Sequence, residues 1–87
     1  MDKELKVAIV TGGASGLGLA TAAKLVEVNY KTIIIGRNEQ NLKDTAERLG
    51  DLCSYKVFDL SNLKAIPQLI AEIITDISAA STIALVL

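Results

Sequence analysis

The sequence contains no histidine, one cysteine (Cys53) and one proline (Pro67). A single cysteine excludes an internal disulfide, and without histidine the chain has no zinc-ligand set. The same absence excludes a Ser-His or Cys-His catalytic pair within these residues. Such sparing use of cysteine is typical of a protein of the reducing cytoplasm, which is where we expect this chain to reside.

Long apolar runs and an excess of one charge are also missing. The uncharged runs from Ile77 to Leu87 and from Val7 to Ala23 are both shorter than the roughly 20 residues that a membrane helix needs. The start, Met1 to Glu4, lacks the apolar run of a secretory signal. Nine Lys and Arg against ten Asp and Glu give a net charge of −1, so no nucleic-acid partner is expected.

The composition is typical of a globular protein, since 51% of the 87 residues are hydrophobic and 22% are charged. This length predicts one small soluble domain, residues 1–87, whose core is marginal because such chains bury only about 60–65% of their unfolded surface. Strand-like and helix-like periods alternate along it. The predicted strands are Leu5–Val10, Thr32–Ile35, Cys53–Phe58 and Thr82–Leu87, and the helices between them start near Leu17, after Asn38 and after Ser61 or Asn62.

This alternation predicts an α/β fold, a Rossmann-like three-layer parallel sheet with right-handed crossovers and the strand order 3-2-1-4. A ligand crevice is expected at the carboxyl ends of strands one and four. Asn29 and Gly50 are expected to end the first two helices, and Asn38 to cap the second. Pro67 means that the third helix either begins near Ala65 or is bent there.

A glycine-rich loop, Thr11 to Gly18, connects the first strand to the first helix. Its glycines allow the backbone to approach a ligand closely, and the helix start offers free N–H groups to a phosphate. The loop is not an NTPase phosphate loop, because Leu19 and Ala20 replace the required Lys and Ser or Thr. The alternative interpretation is a glycine-rich turn without a ligand.

The spacing Thr-Gly-x-x-x-Gly-x-Gly resembles the cofactor loop of the short-chain dehydrogenase/reductase family, which are NAD(P)-dependent oxidoreductases on a Rossmann sheet. The resemblance extends from Val7 to about Ile77. It implies that Gly12 forms the tight turn. It also implies that the pyrophosphate and the nicotinamide-side ribose are lined by Ser15, Gly16, Leu17 and Gly18.

Gly36 and Arg37 predict which dinucleotide binds. A site that prefers NAD places an acid at the end of the second strand to bond the ribose 2′-OH, and Gly36 has no side chain to do so. The Arg37 guanidinium can instead hold a 2′-phosphate, and Asn38 can add a donor. We therefore predict NADP rather than NAD. The alternative is a solvated arginine that precedes a helix cap.

Asp59 and Leu60 are the third match to the family. The resemblance implies that the acid at the end of the third strand accepts a hydrogen bond from the adenine amino group. The alternative is that Asp59 only caps the next helix, and the two roles are compatible.

The family's catalytic Tyr-x-x-x-Lys pattern is not found, because Ile34 and Asp59 stand four positions after Tyr30 and Tyr55. The Asn-Asn-Ala-Gly segment that the family has after its fourth strand is also missing. The resemblance therefore implies the cofactor-binding portion of an oxidoreductase, without catalytic residues and inactive alone. The alternatives are a non-catalytic binding or regulatory module and a ligand-free fold.

Self-association is expected as well. The strand formed by residues 82–87 would leave an unpaired sheet edge, with Ile83 and Leu85 at the contact. The third helix would also cover one sheet face alone and leave part of an Ile- and Val-rich surface open.

Overall fold

Strands and helices alternate in the computed structural model, which describes residues 6–12, 16–59, 61–76 and 82–86. Their order is β1 (Lys6–Thr11), α1 (Gly16–Glu27), β2 (Lys31–Gly36), α2 (Glu39–Leu49), β3 (Cys53–Val57), a 3₁₀ turn (Leu63–Ala65), α3 (Ile66–Asp76) and β4 (Thr82–Val86). The predicted α/β class is confirmed.

All four strands lie in one parallel sheet with the order β3-β2-β1-β4, as predicted. The central strand β1 pairs with β2 from Val7 opposite Lys31 to Thr11 opposite Ile35. On its other side β1 pairs with β4, and β3 pairs with the outer side of β2. Because the strands are parallel, their carboxyl ends meet at one edge of the sheet, where the crevice is expected.

Two separate apolar clusters cover the two faces of the sheet. The first joins β1, β2 and β3 to α1 and α2 and comprises Val10, Ala22, Ile34, Leu42, Ala46 and Cys53. The second joins β1 and β2 to α3 and comprises Val7, Ile9, Ile33, Ile35, Leu69 and Ile73. Burial raises the pKa of the Cys53 thiol, so this residue behaves as a small core side chain.

Helix α3 covers the central strands on its face of the sheet. Leu69 and Ile73, one turn apart on α3, are 5% and 1% exposed and pack over the centre of the sheet. The four strand residues beneath them on β1 and β2 are at most 6% exposed. Helix α3 therefore covers β1 and β2 on this face, and an open Ile- and Val-rich patch elsewhere on the sheet stays a prediction.

The residues at the helix ends have the backbone conformations that end or begin a helix. Asn29 has a left-handed φ of 69° after α1, and Gly50 has a φ of 96° after α2. Pro67 is the second residue of α3, where its missing N–H removes no helical hydrogen bond. The third helix thus begins close to Ala65, and a start at Ser61 or Asn62 is wrong. None of the helices within the described ranges is long and apolar enough to cross a lipid bilayer.

Candidate functional site

A cleft of about 860 Å³ opens at the carboxyl ends of β1, β2 and β3, within the usual size range of small-molecule sites, roughly 300–1,000 Å³. It lies at the edge where parallel sheets of this kind bind ligands. Its lining comes from three connections between strand and helix: Gly12, Ile35, Gly36, Arg37, Asn38, Asn41, Leu42, Phe58, Asp59 and Ser61.

Backbone hydrogen bonds across the ends of the strands fix the frame of the cleft. The Gly12 N–H donates to the Ile35 carbonyl at 2.8 Å, and the Phe58 N–H donates to the Gly36 carbonyl at 2.7 Å. Gly12 has a φ of 69°, which a residue with a Cβ adopts only under strain. These bonds hold the three loops in a fixed relation, so their side chains share one cleft.

Gly36 is the last residue of β2, and the exposed Arg37 follows it directly into the cleft lining. A Cβ at Gly36 would lie 3.3 Å from Leu42 Cδ2, so a side chain at this position would crowd the first turns of α2. Glycine here keeps the space between β2 and α2 open. The guanidinium of Arg37 provides five N–H donors at the entrance to that space.

Asn38 is the N-cap of α2, as predicted. Its side-chain oxygen accepts a hydrogen bond from the Asn41 N–H at 3.0 Å, and its carbonyl accepts from the Leu42 N–H at 3.1 Å. Because the side-chain oxygen of Asn38 is bonded to the helix backbone, the side-chain N–H₂ group points away from that hydrogen bond. Asn38 thus stabilises α2 and keeps an N–H₂ group available beside Arg37.

Asp59 follows β3 and is held by its own turn. Its Oδ1 accepts from the Ser61 hydroxyl at 2.7 Å and from the Ser61 N–H at 2.9 Å. These bonds, with a smaller contribution from the positive charge of Arg37, lower the pKa of the Asp59 carboxyl from its ordinary value. The cleft therefore combines a guanidinium with an ionised carboxylate, one on each of two neighbouring loops.

The glycine-loop residues occupy the connection from β1 to α1. Gly12 lines the cleft, whereas Gly16, Leu17 and Gly18 form the start of α1, with a φ of 56° at Gly16 and 84% exposure at Leu17. Ser15 and Leu60 lie outside the described residues. The structure thus brings Gly12, Arg37, Asn38 and Asp59 together around one cleft.

Five lining residues were not predicted as site residues: Ile35, Asn41, Leu42, Phe58 and Ser61. A signal was available for two of them. Asn41 stands three positions after the N-cap, and Ser61 stands two positions after Asp59, the spacing of a side-chain-closed turn. No group of three His, Cys, Asp or Glu side chains suited to a metal ion occurs in the part of the chain that the structure describes.

Known proteins resemble this chain in sequence and fold. The family model for short chain dehydrogenase matches residues 6–83, nearly the whole chain. The chain belongs to the short-chain dehydrogenase family. A curated relative, the 3-oxoacyl-(acyl-carrier-protein) reductase of Rickettsia prowazekii, is 36% identical over 72 residues, which are 83% of this chain and 30% of that protein.

Solved structures of short-chain dehydrogenases share the fold. A short chain dehydrogenase/reductase family protein superposes with a TM-score of 0.74 at 32% identity, covering 83% of this chain and 31% of its own. The closed form of a serine dehydrogenase complexed with NADP⁺ gives a TM-score of 0.68 at 28% identity, covering 75% and 26%. The chain spans only 20% to 30% of the length of curated relatives that it matches.

Proposed function

We propose that this chain is the NADP-binding N-terminal portion of a short-chain dehydrogenase/reductase, residues 1–87 forming part of its Rossmann domain. The observation that carries the proposal is Arg37, which lines the cleft directly after Gly36, where a site for NAD would place an acid. A guanidinium fork matches the geometry of a phosphate and gains nothing from a free 2′-hydroxyl.

The other lining residues fit the rest of the dinucleotide. Gly12, Ser15, Gly16, Leu17 and Gly18 are the proposed pyrophosphate and ribose contacts, supported by the left-handed φ of Gly12 after β1 and of Gly16 at the start of α1. Arg37 and Asn38 are the proposed 2′-phosphate donors, and Asp59 and Leu60 the proposed adenine contacts. The NADP⁺ complex of the related serine dehydrogenase supports the choice of cofactor.

The bound cofactor would supply hydride transfer, and we propose that the proton-transfer residues are not part of this chain. Neither tyrosine supports catalysis at the cleft. Tyr30 precedes β2 at the opposite end of the sheet, where its ring lies 5.9 Å from the Lys6 ammonium. Tyr55 packs against the cluster beneath α1 and α2. We also propose a cytoplasmic location, which the free, buried thiol of Cys53 supports.

Calorimetric titration with NADP and NAD tests this function. The wild-type chain is expected to bind NADP more tightly. The Arg37→Ala change should weaken NADP binding by roughly 1.5–3 kcal/mol and leave NAD binding unchanged, because only the 2′-phosphate loses a charge-assisted partner. Arg48→Ala, at the exposed far end of α2, is the matched control and should alter neither affinity. Equal affinity of the wild type for both dinucleotides would refute the proposal.

A further inference from the structure

Within the part of the chain that the structure describes, Ser61 alone hydrogen-bonds the Asp59 side chain. Both hydrogen bonds to its Oδ1 come from Ser61, one from the hydroxyl and one from the backbone N–H. The backbone around it is fixed as well, because the Phe58 N–H bonds the Gly36 carbonyl and the Asn62 N–H bonds the Asp59 carbonyl. Two hydrogen bonds thus orient a carboxylate that is exposed to solvent.

We propose that Ser61 is a positioning residue for base recognition, holding the Asp59 carboxylate so that its remaining lone pairs accept the exocyclic amino group of the adenine. This inference rests on the proposed NADP-binding function. It assigns to Ser61 a part in selecting adenine over a purine that carries a carbonyl at the same position.

Two physical facts support this role for Ser61: the number of acceptor positions on the Asp59 carboxylate, and the free-energy cost of ordering that carboxylate when a ligand binds. An ionised carboxylate has about four lone-pair positions, and Ser61 occupies two of them on Oδ1. No other group among the described residues bonds this carboxylate, so its other lone pairs can accept from a ligand in an orientation already fixed before binding. The lowered pKa of Asp59 supports this role, since a carboxylate that remains ionised is an acceptor only and repels a purine carbonyl.

A purely structural role for the same hydrogen bonds predicts a different outcome. Asp59 and Ser61 close the turn that leads into the 3₁₀ residues Leu63–Ala65. If they did no more than that, loss of the hydroxyl would lower stability and weaken every ligand of the cleft to the same extent. A positioning role predicts a loss that depends on the base.

The experiment is titration of the full chain with NADP and with its hypoxanthine analogue, in which a carbonyl replaces the adenine amino group. The wild type is expected to prefer NADP by about tenfold, the worth of one hydrogen bond to a charged group. Ser61→Ala should reduce that preference to about threefold or less, by weakening NADP alone. Ser61→Thr, which keeps the hydroxyl, should retain the preference.

Two further variants complete the test. Ser54→Ala removes an exposed hydroxyl on β3 and should leave the preference unchanged. Asp59→Asn keeps an acceptor for Ser61 but adds an N–H₂ group that can bond the purine carbonyl, so it should favour the analogue. If Ser61→Ala does not fold, Ser61→Cys, with a thiol as a weak donor, should show the same reduced preference.

Each outcome of these titrations either supports or overturns the positioning role of Ser61. The positioning role is overturned if Ser61→Ala loses the same affinity for NADP and for the analogue, or if its preference for NADP is undiminished. In either case, NADP binding by the wild type leaves the proposed function standing. A wild type that binds NADP and its hypoxanthine analogue equally also overturns it. A wild type that binds neither refutes the proposed function and this inference with it.

Discussion

At the scale of single residues, Gly12 links the fold to the cleft. Its N–H is bonded to the Ile35 carbonyl, its φ is 69°, and it lines the cleft beside Arg37. Space is not what requires glycine here, because a Cβ at this position would meet no atom of the described residues beyond its chain neighbours within 4 Å. The requirement comes from the backbone conformation, which turns the chain out of β1 and toward the ligand.

Replacing Gly12 by alanine should therefore destabilise the fold by roughly 1–2 kcal/mol, the cost of a left-handed L-residue, and should also weaken NADP binding. Gly50→Ala is the matched control, since Gly50 has a φ of 96°, open space around its Cβ and a position remote from the cleft. Denaturant unfolding should show a loss for both variants, and calorimetry a weaker NADP affinity for Gly12→Ala only. Equal NADP affinities would mean that the loop serves as a turn alone.

At the scale of elements, the first turn of α2 serves both stability and recognition. The Asn38 side chain closes that turn through the Asn41 N–H, while Arg37 immediately before it supplies the guanidinium of the cleft. The positive end of the helix dipole lies beside the proposed phosphate site, which adds to the attraction for an anion. A substitution at Asn38 can separate the two roles.

Asn38→Asp keeps an N-cap acceptor, so the free energy of unfolding should stay within about 0.5 kcal/mol of the wild type. It removes the N–H₂ donor and places a negative charge near the 2′-phosphate, so NADP affinity should fall while NAD affinity holds. Asn38→Ala should lose about 1 kcal/mol of stability with the cap. Unfolding curves and calorimetry with both dinucleotides measure these effects. An Asp variant that binds NADP as tightly as the wild type would contradict the proposed contact.

Elements with strong local signals were predictable from the sequence, and so were the site residues attached to them. Asn38 and Arg37 follow a buried strand and precede a periodic helix, so parallel topology alone brings them to the edge of the sheet with Asp59. The start of α3 was harder, because the 3₁₀ residues Leu63–Ala65 and the helix share one apolar pattern and only Pro67 marks the boundary.

The rest of the cleft depended on tertiary structure. Phe58 lies just beyond β3 and lines the cleft because its backbone bonds Gly36 of the neighbouring strand, which no local pattern encodes. Ser61 was predicted as a helix start, yet its hydroxyl turns back to Asp59. Both outcomes follow from how one connection folds over another, so spacing along the chain could not reveal them.

At the scale of the whole molecule, the two outer strands of the sheet differ in polarity. Of the described strands, β3 and β4 are the outer two, and the central pair β1 and β2 contributes to both apolar clusters. On β3 the residues facing the α3 layer include the exposed Ser54 and the partly buried Lys56, a polar surface that suits contact with water. The register of β4 instead places Ile83 opposite Val7 and Leu85 opposite Ile9.

We therefore propose that the chain self-associates through β4 rather than β3, because the outer side of a strand presents backbone N–H and C=O groups that pair readily with another chain. Small domains also gain stability from such contacts. Sedimentation from low to high micromolar concentration should show a dimer or larger species, with β4 amides exchanging more slowly as concentration rises. The amides of β2, paired on both sides, are the internal control and should not change. This assembly would be contradicted if the chain stayed monomeric at all concentrations and the β4 amides were equally protected from exchange throughout. Strand β4 would then be protected by contacts within a single chain.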